Sequence, residues 1–207
     1  MERMTLRDGA ELVYEVVGQG PPLALVTGLG GIAAWWKPLV PALSESFTLI
    51  LHDHRGTGSS TRSRIEYSVD QMADDLVQLL DHLGIERCHL CGHSTGGSVG
   101  QILAIERPKR LDRLVLAACW DKCDGYFKRL FDLRATMLES AGVDAYVELG
   151  SLVAWPADFI AAKYETLLAA EAKADRPPTE ILLSRIRALQ AFDRSSLLHL
   201  IKTPTLV

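Results

Sequence analysis

The chain has 207 residues, 48% of them hydrophobic, and a formal net charge of -4 at pH 7. A chain of this length can bury one large core, so we expect a single soluble α/β domain. Lys and Arg are scattered along the chain, which argues against nucleic-acid or membrane-surface binding. No apolar run could span a bilayer and no signal peptide is recognisable, so we expect a cytoplasmic protein.

Short apolar segments alternate with helix-like segments over the first part of the chain. The predicted strands, rich in Val, Ile and Leu, are Glu11 to Val17, Leu23 to Thr27, Phe47 to His52, Arg87 to Cys91 and Leu114 to Cys119. Apolar residues at helical spacing predict a helix from Val69 to Leu83, and a second helix from Thr95 should end before Pro108. This alternation predicts an α/β fold with a mostly parallel sheet and flanking helices.

The pattern changes after Cys119, because successive helices follow one another with no strand between them. They are predicted at Gly125 to Leu138, Asp144 to Val153, Ala157 to Ala172 and Thr179 to Phe192. We therefore expect an α/β core over residues 1–120, a helical cap over 121–195 and a return to the core over 196–207. The alternative is a helical subdomain that serves only packing.

A Gly-x-Ser-x-Gly motif runs from Gly92 to Gly96, between an apolar stretch and a helix-like one. A serine hydroxyl becomes a useful nucleophile when a sharp strand-to-helix turn exposes it beside a base. Gly92 and Gly96 allow such a turn to close, and Gly97 allows the helix to approach the sheet. We predict that Ser94 is the catalytic nucleophile; the alternative is a glycine-rich helix start at which Ser94 is only the N-cap.

Two other chemistries are less well supported by the residues. Cys88 and Cys91 have the spacing of a zinc knuckle, but residues three apart on a strand point to opposite faces, so we expect free thiols and no metal. The segment from Gly28 to Ala33, with Asp53 further on, fits a dinucleotide-binding fingerprint. Pro38 and Pro41 would interrupt the helix that this fingerprint requires, so a dinucleotide-binding oxidoreductase is a remote alternative.

Together with the serine turn, two loops of the first half resemble those of the α/β-hydrolase superfamily. These are Gly28-Leu29-Gly30-Gly31 after a strand, and the loop from Asp53 to Ser60, which resembles Asp-x-Arg-Gly-x-Gly-x-Ser. Within the family, the chain most resembles the aminoacrylate (carbamate) hydrolases, and the resemblance lies in the segments Gly28 to Trp36, Arg55 to Gly58 and Trp155 to Asp158. The next most similar groups are the 3-oxoadipate enol-lactonases and the haloperoxidase-type esterases.

The resemblance implies the roles of several residues. The backbone N–H groups of Leu29 and Thr95 would form the oxyanion hole, which holds the negative charge of a tetrahedral intermediate. Gly28 and Gly30 would lie against the substrate. Trp120 and Trp155 are candidates for the pocket wall, although buried aromatic residues more often belong to a core.

The family places its nucleophile, acid and histidine in that chain order. The segment from Ile201 to Val207 is similar to the approach to the family's seventh strand, so we expect the acid and the histidine beyond Val207. Asp121 is an alternative acid, or simply the first polar residue of the cap. His52 and His54 end a strand and could lie near the pocket, although a structural role is favoured. The other histidines, which are unsuited to be the base, are His82, His89, His93 and His199. Of these, His93 should turn its ring away from the Ser94 hydroxyl.

These observations predict a hydrolase of small ester, lactone or carbamate-type metabolites that forms an acyl intermediate on Ser94 and needs no cofactor. Its partner is a small-molecule substrate, and a homodimer is left open. The alternatives are a non-catalytic small-molecule-binding protein on the same fold and an inactive fragment. Substrate identity depends on cap side chains that the motifs do not describe.

Overall fold

A computed structural model describes all residues from 1 to 207. Its centre is a seven-stranded sheet in the order β1-β2-β4-β3-β5-β6-β7. The strands are β1 (Glu2–Thr5), β2 (Glu11–Val17), β3 (Pro22–Val26), β4 (Thr48–His52), β5 (Cys88–His93), β6 (Leu111–Ala117) and β7 (Thr205–Leu206). Strands β1 and β2 are antiparallel to their neighbours, whereas the pairs from β4 to β7 are parallel. The predicted mostly parallel sheet is therefore confirmed.

Seven α-helices accompany the sheet. They are α1 (Val40–Leu43), α2 (Val69–His82), α3 (Thr95–Glu106), α4 (Gly125–Ala154), α5 (Ala157–Ala162), α6 (Tyr164–Glu171) and α7 (Thr179–Ala191). Helix α2 begins after an N-capping residue, because the Ser68 side chain accepts a hydrogen bond from the Gln71 N–H at 3.0 Å. No strand of the sheet lies between Asp121 and Ser195.

Some predicted boundaries were wrong. Strand β5 continues through His93, two residues beyond the prediction, and β6 begins at Leu111, three residues earlier than predicted. The break predicted between the helices Gly125 to Leu138 and Asp144 to Val153 is present inside α4 at Gly142, whose non-helical φ of 86° and ψ of -178° suit a residue without a side chain. The helix predicted from Ala157 to Ala172 is divided into α5 and α6 at Lys163.

The main core lies between the sheet and the helices α2 and α3. Helix α2 buries one side, on which Met72, Leu76 and Leu80 contact the apolar cluster of β3, β5 and β6. Helix α3 is buried along most of its length, because it packs against both β5 and α2. None of the helices combines the length and apolar character needed to cross a lipid bilayer.

The helices after β6 pack against the loop that follows β3. Leu29 of that loop belongs to an apolar cluster with Phe131 and Tyr146 of α4 and Ile186 of α7. Since β3 is parallel to β4 and β5, this loop lies at the carboxyl edge of the parallel strands. The helical region therefore lies against that edge.

Two histidines at the end of β4 are buried. His52 and His54 are each 3% exposed, and their rings stack with centroids 5.0 Å apart. Burial lowers the pKa of His52 from 6.5 to about 4, and burial together with the neighbouring charges holds the pKa of His54 well below 6.5. Both rings are therefore neutral in the folded protein near pH 7.

We expect the free energy of unfolding to fall as the pH is lowered from 6.5 to about 4. In that window the unfolded chain binds a proton at His52 that the folded protein does not bind, so stability is present above the window and is lost through it. One histidine contributes a slope of at most about 1.4 kcal/mol per pH unit. Urea unfolding at a series of pH values measures this slope.

His52→Phe removes the titrating ring and should make the pH dependence shallower. His199→Gln is the control, because His199 is exposed and its side chain makes no hydrogen bond. An unchanged slope in His52→Phe would contradict the assignment.

Candidate active site

Ser94 occupies the turn between β5 and α3 in a strained conformation. Its φ of 55° and ψ of -121° lie outside the regions that residues with side chains normally adopt. Only Ala118 among the other non-glycine residues has a positive φ. Such strain persists where the surroundings impose it, and it is typical of a serine exposed on a strand-to-helix turn.

Close backbone packing imposes this turn. A Cβ on Gly92 would overlap the backbone of Gly96, and a Cβ on Gly96 would overlap the carbonyl group of Val26 in β3. A Cβ on Gly97 would overlap the Cys119 side chain. The small residues of the motif therefore let α3 start directly against the sheet.

The Ser94 side chain faces the loop after β3. A Cβ on Gly28 would lie 2.9 Å from the Ser94 Cβ and 3.2 Å from its Oγ, so only glycine fits there. The Ser94 side chain makes no N-capping hydrogen bond, which removes the evidence for a purely capping role. The hydroxyl makes no hydrogen bond to any other group of residues 1–207.

Two backbone N–H groups lie beside this serine. Leu29 directly follows Gly28, and its N–H donates no hydrogen bond to the protein although the residue is only 9% exposed. Thr95 directly follows Ser94 as the first residue of α3, where an α-helix leaves its N–H groups without intrahelical acceptors. Donors of this kind can bind an anionic oxygen.

The Asp53 loop is held by hydrogen bonds inside the protein. Asp53 accepts the N–H of Ala33 and the N–H of Ser59, each at 2.9 Å. Arg55 forms a two-pronged ion pair with buried Asp75, at 3.1 and 2.8 Å, and also contacts Asp8. Because Asp53 is only 6% exposed and its oxygens bind backbone N–H groups of the protein, its position argues against a role in binding a ribose, as the dinucleotide-binding alternative requires.

His93 is the last residue of β5 and directly precedes Ser94. Its Nδ1 lies 3.5 Å from the position of a Cβ on Gly28, the same position that Ser94 Oγ approaches. The exposed Trp35 stacks on the His93 ring with centroids 5.2 Å apart. Burial lowers the pKa of His93, which favours the neutral ring.

The other candidate residues lie at varied positions. Trp120 stacks on Phe127 with ring centroids 4.3 Å apart and packs against the cluster that contains Leu29. Trp155 stacks on Phe159 at 4.7 Å and lies outside that cluster.

The remaining candidates are a glycine, an aspartate and two histidines. Gly30 is exposed in the loop after β3. Asp121 is half-buried, and its backbone carbonyl accepts a hydrogen bond from the Arg194 N–H. His52 and His54 are too deeply buried to serve as a base open to substrate.

Sequence reasoning missed one residue beside the site. Arg185 on α7 is fully buried, and its guanidinium donates hydrogen bonds at 2.9 and 3.3 Å to the Leu29 carbonyl. The sequence feature that marks Arg185 is its position between Ile181 and Leu189, four residues from each, in an apolar stripe of the helix where a basic residue is unexpected.

Comparison with known proteins agrees with this architecture. Residues 21–179 match the family model for the alpha/beta hydrolase fold. A Caulobacter segnis protein named "Putative carbamate hydrolase RutD" is 42% identical over 192 residues, which cover 88% of this chain and 71% of that protein. A Stutzerimonas stutzeri protein of the same name is 43% identical over 201 residues, covering 94% of this chain and 76% of its own length.

Solved structures give the same result. A hydrolase from Pseudomonas aeruginosa PA01 is 30% identical with a TM-score of 0.89, over 100% of this chain and 78% of that one. The enol-lactonase from Burkholderia xenovorans LB400 is 28% identical with a TM-score of 0.88, and the match covers 100% of this chain and 80% of that one. The chain belongs to the α/β-hydrolase family and is a hydrolase, as its motifs predicted.

Replacing Gly96 by Ala should lower the free energy of unfolding by about 2 kcal/mol or more, because the new Cβ would overlap the Val26 carbonyl. Gly125→Ala is the matched control at the start of α4, where a Cβ meets nothing within 4 Å. This control should be neutral or stabilise by up to about 1 kcal/mol. Urea unfolding of both variants makes the comparison, and equal stabilities would show that the turn tolerates a side chain.

Proposed function

We propose that this protein is a serine hydrolase that forms an acyl intermediate on Ser94. The observation that carries the proposal is the strained conformation of Ser94, which presents its hydroxyl to the Gly28 loop. The unpaired Leu29 N–H in the same loop supports it, because acyl transfer needs a donor close to the nucleophile.

The proposed reaction begins when Ser94 Oγ attacks the carbonyl carbon of the substrate and forms a C–O bond. The electron pair of the carbonyl moves to its oxygen, and the N–H groups of Leu29 and Thr95 stabilise that negative charge. Collapse of the intermediate re-forms the carbonyl and breaks the C–O or C–N bond, and the leaving group takes up the proton lost by the Ser94 hydroxyl and departs as an alcohol or an amine. Water then attacks the acyl ester, which releases the acid and restores the Ser94 hydroxyl. We assign the general base and its acid to no residue of 1–207.

The proposed substrates are small esters, lactones or carbamate-type metabolites, cleaved at a C–O or C–N bond. Support comes from the relatives named as carbamate hydrolases and from the likeness to an enol-lactonase. The predicted cap also favours small substrates, since aromatic residues of α4 pack against Leu29 at the proposed oxyanion hole. Trp120 is the better candidate for the pocket wall, because Trp155 lies outside this cluster.

The proposal requires no cofactor for the chemistry, because the nucleophile and the proposed oxyanion donors belong to the chain itself. A cytoplasmic location and a homodimer remain predictions. A non-catalytic binding protein on the same fold would keep the pocket but would not acylate Ser94.

Ser94→Ala in the full-length gene product should abolish labelling by a serine-directed fluorophosphonate and reduce hydrolysis of an activated ester by about a thousandfold or more. The matched control is Ser98→Ala, one helical turn further along α3, where the side chain is buried and its Oγ has no hydrogen-bond partner. This control should keep both labelling and turnover. Mass spectrometry of the labelled peptide and initial rates provide the measurements.

A wild-type protein that is neither labelled nor active on esters, lactones or carbamates would favour the binding protein. Labelling of another serine would refute the assignment of Ser94.

A further inference from the structure

Arg185 carries a buried positive charge with no negative partner. Its residue exposure is 0%, and it forms none of the ion pairs of the structure. An unpaired buried charge is costly unless several hydrogen bonds compensate it. Burial lowers the pKa of Arg185 to about 10, so the guanidinium is still charged near neutral pH.

All the hydrogen-bond acceptors of Arg185 belong to two loops at the site. Nη2 and Nε donate to the Leu29 carbonyl at 2.9 and 3.3 Å, and Nη1 donates to the Arg55 carbonyl at 2.9 Å. Nη2 also lies 3.2 Å from Nδ1 of His54, and because a guanidinium only donates, this contact requires the neutral tautomer of His54 that carries its proton on Nε2. The guanidinium therefore connects α7 to both loops through neutral acceptors.

The loop that contains Leu29 is confined on two sides. On one side Gly28 lies against Ser94, and on the other side a Cβ on Gly31 would lie 3.0 Å from Arg185 Nη2. The Leu29 carbonyl is held by two donors of one rigid fork, which fixes the peptide group between Leu29 and Gly30. The Leu29 N–H belongs to the preceding peptide group, which is joined to this one at the Leu29 Cα. Because the Leu29 side chain is also packed in an apolar cluster, holding the carbonyl limits the position of this Cα and, through it, of the N–H.

We infer that Arg185 is a positioning residue for the proposed oxyanion hole, which it acts on through the Leu29 carbonyl. The inference rests on the proposed function, since it assigns a catalytic consequence to the Leu29 N–H. It also connects the helical region to the chemistry, because Arg185 belongs to α7 and Leu29 to the core.

The test compares Arg185→Lys and Arg185→Gln in the full-length gene product. Lysine keeps the charge but has no planar fork, and glutamine keeps an N–H donor without the charge. Arg187→Gln is the matched control on the same helix, because Arg187 is exposed and pairs only with Glu66 at 2.8 Å. Active sites are counted with the fluorophosphonate, so that kcat refers to folded protein.

We expect both Arg185 variants to lose about 10- to 100-fold in kcat on an activated ester, with KM within about twofold of wild type. Their affinity for a boronic acid that mimics the tetrahedral intermediate should fall by the same factor as kcat, which a merely structural role would not produce. Arg187→Gln should stay within about twofold of wild type in all three measurements.

The inference would be overturned, and the proposed function left intact, if either folded Arg185 variant had the wild-type kcat and the wild-type boronate affinity. Here kcat is calculated per active site counted with the fluorophosphonate. Failure of both variants to fold would also overturn it, because the role of Arg185 would then be stability. A wild-type protein that is not labelled at Ser94 would instead refute the proposed function, and the inference with it.

Discussion

The turn at Ser94 depends on the contact between α3 and the ends of β3 and β5. The helix can begin there only because Gly92, Gly96 and Gly97 leave no side chain between it and the sheet. A serine in this position is forced to a positive φ, and the conformational strain is offset by the packing of α3 in the main core. The stability of the core and the exposure of the hydroxyl are therefore consequences of the same contact.

Hydrogen-bonded charges hold the loops around this turn. Arg55 is tied to Asp75 of α2, and Asp53 binds the backbone N–H groups of its own loop and of the neighbouring segment. Arg185 adds a further buried charge, which binds only neutral acceptors. Polar groups buried in this way cost free energy when they lose a partner, so the loops have few alternative conformations.

The helices after β6 pack against the carboxyl edge of the sheet through two kinds of contact. Aromatic and aliphatic residues of α4 and α7 surround Leu29, and α7 also supplies Arg185. The apolar contacts bury the Leu29 side chain at this edge, whereas the guanidinium binds the Leu29 backbone carbonyl. The region thus contributes both to the surroundings of Ser94 and to the geometry of the adjacent loop.

The sequence by itself determined the order of β2 to β6 and of α2 and α3, but not β1 or the short helix α1, because the apolar periods of strands and helices differ and glycine and proline mark their ends. It also indicated the serine turn and the α/β-hydrolase family, since a Gly-x-Ser-x-Gly motif is informative when a strand precedes it and a helix follows. Errors at the ends of β5 and β6 arose where pairing between these strands extended them beyond their local pattern.

Only the tertiary structure decided which distant residues meet. It buried His52 and His54, placed His93 beside Gly28, and joined Arg185 to Leu29 across 156 positions of the chain. A period of apolar residues shows which side of a helix is buried, but it does not show which loop that side contacts. Partners so far apart in sequence are determined by the packing of whole elements, and the charge of Arg185 acquired its role only when that packing removed it from water.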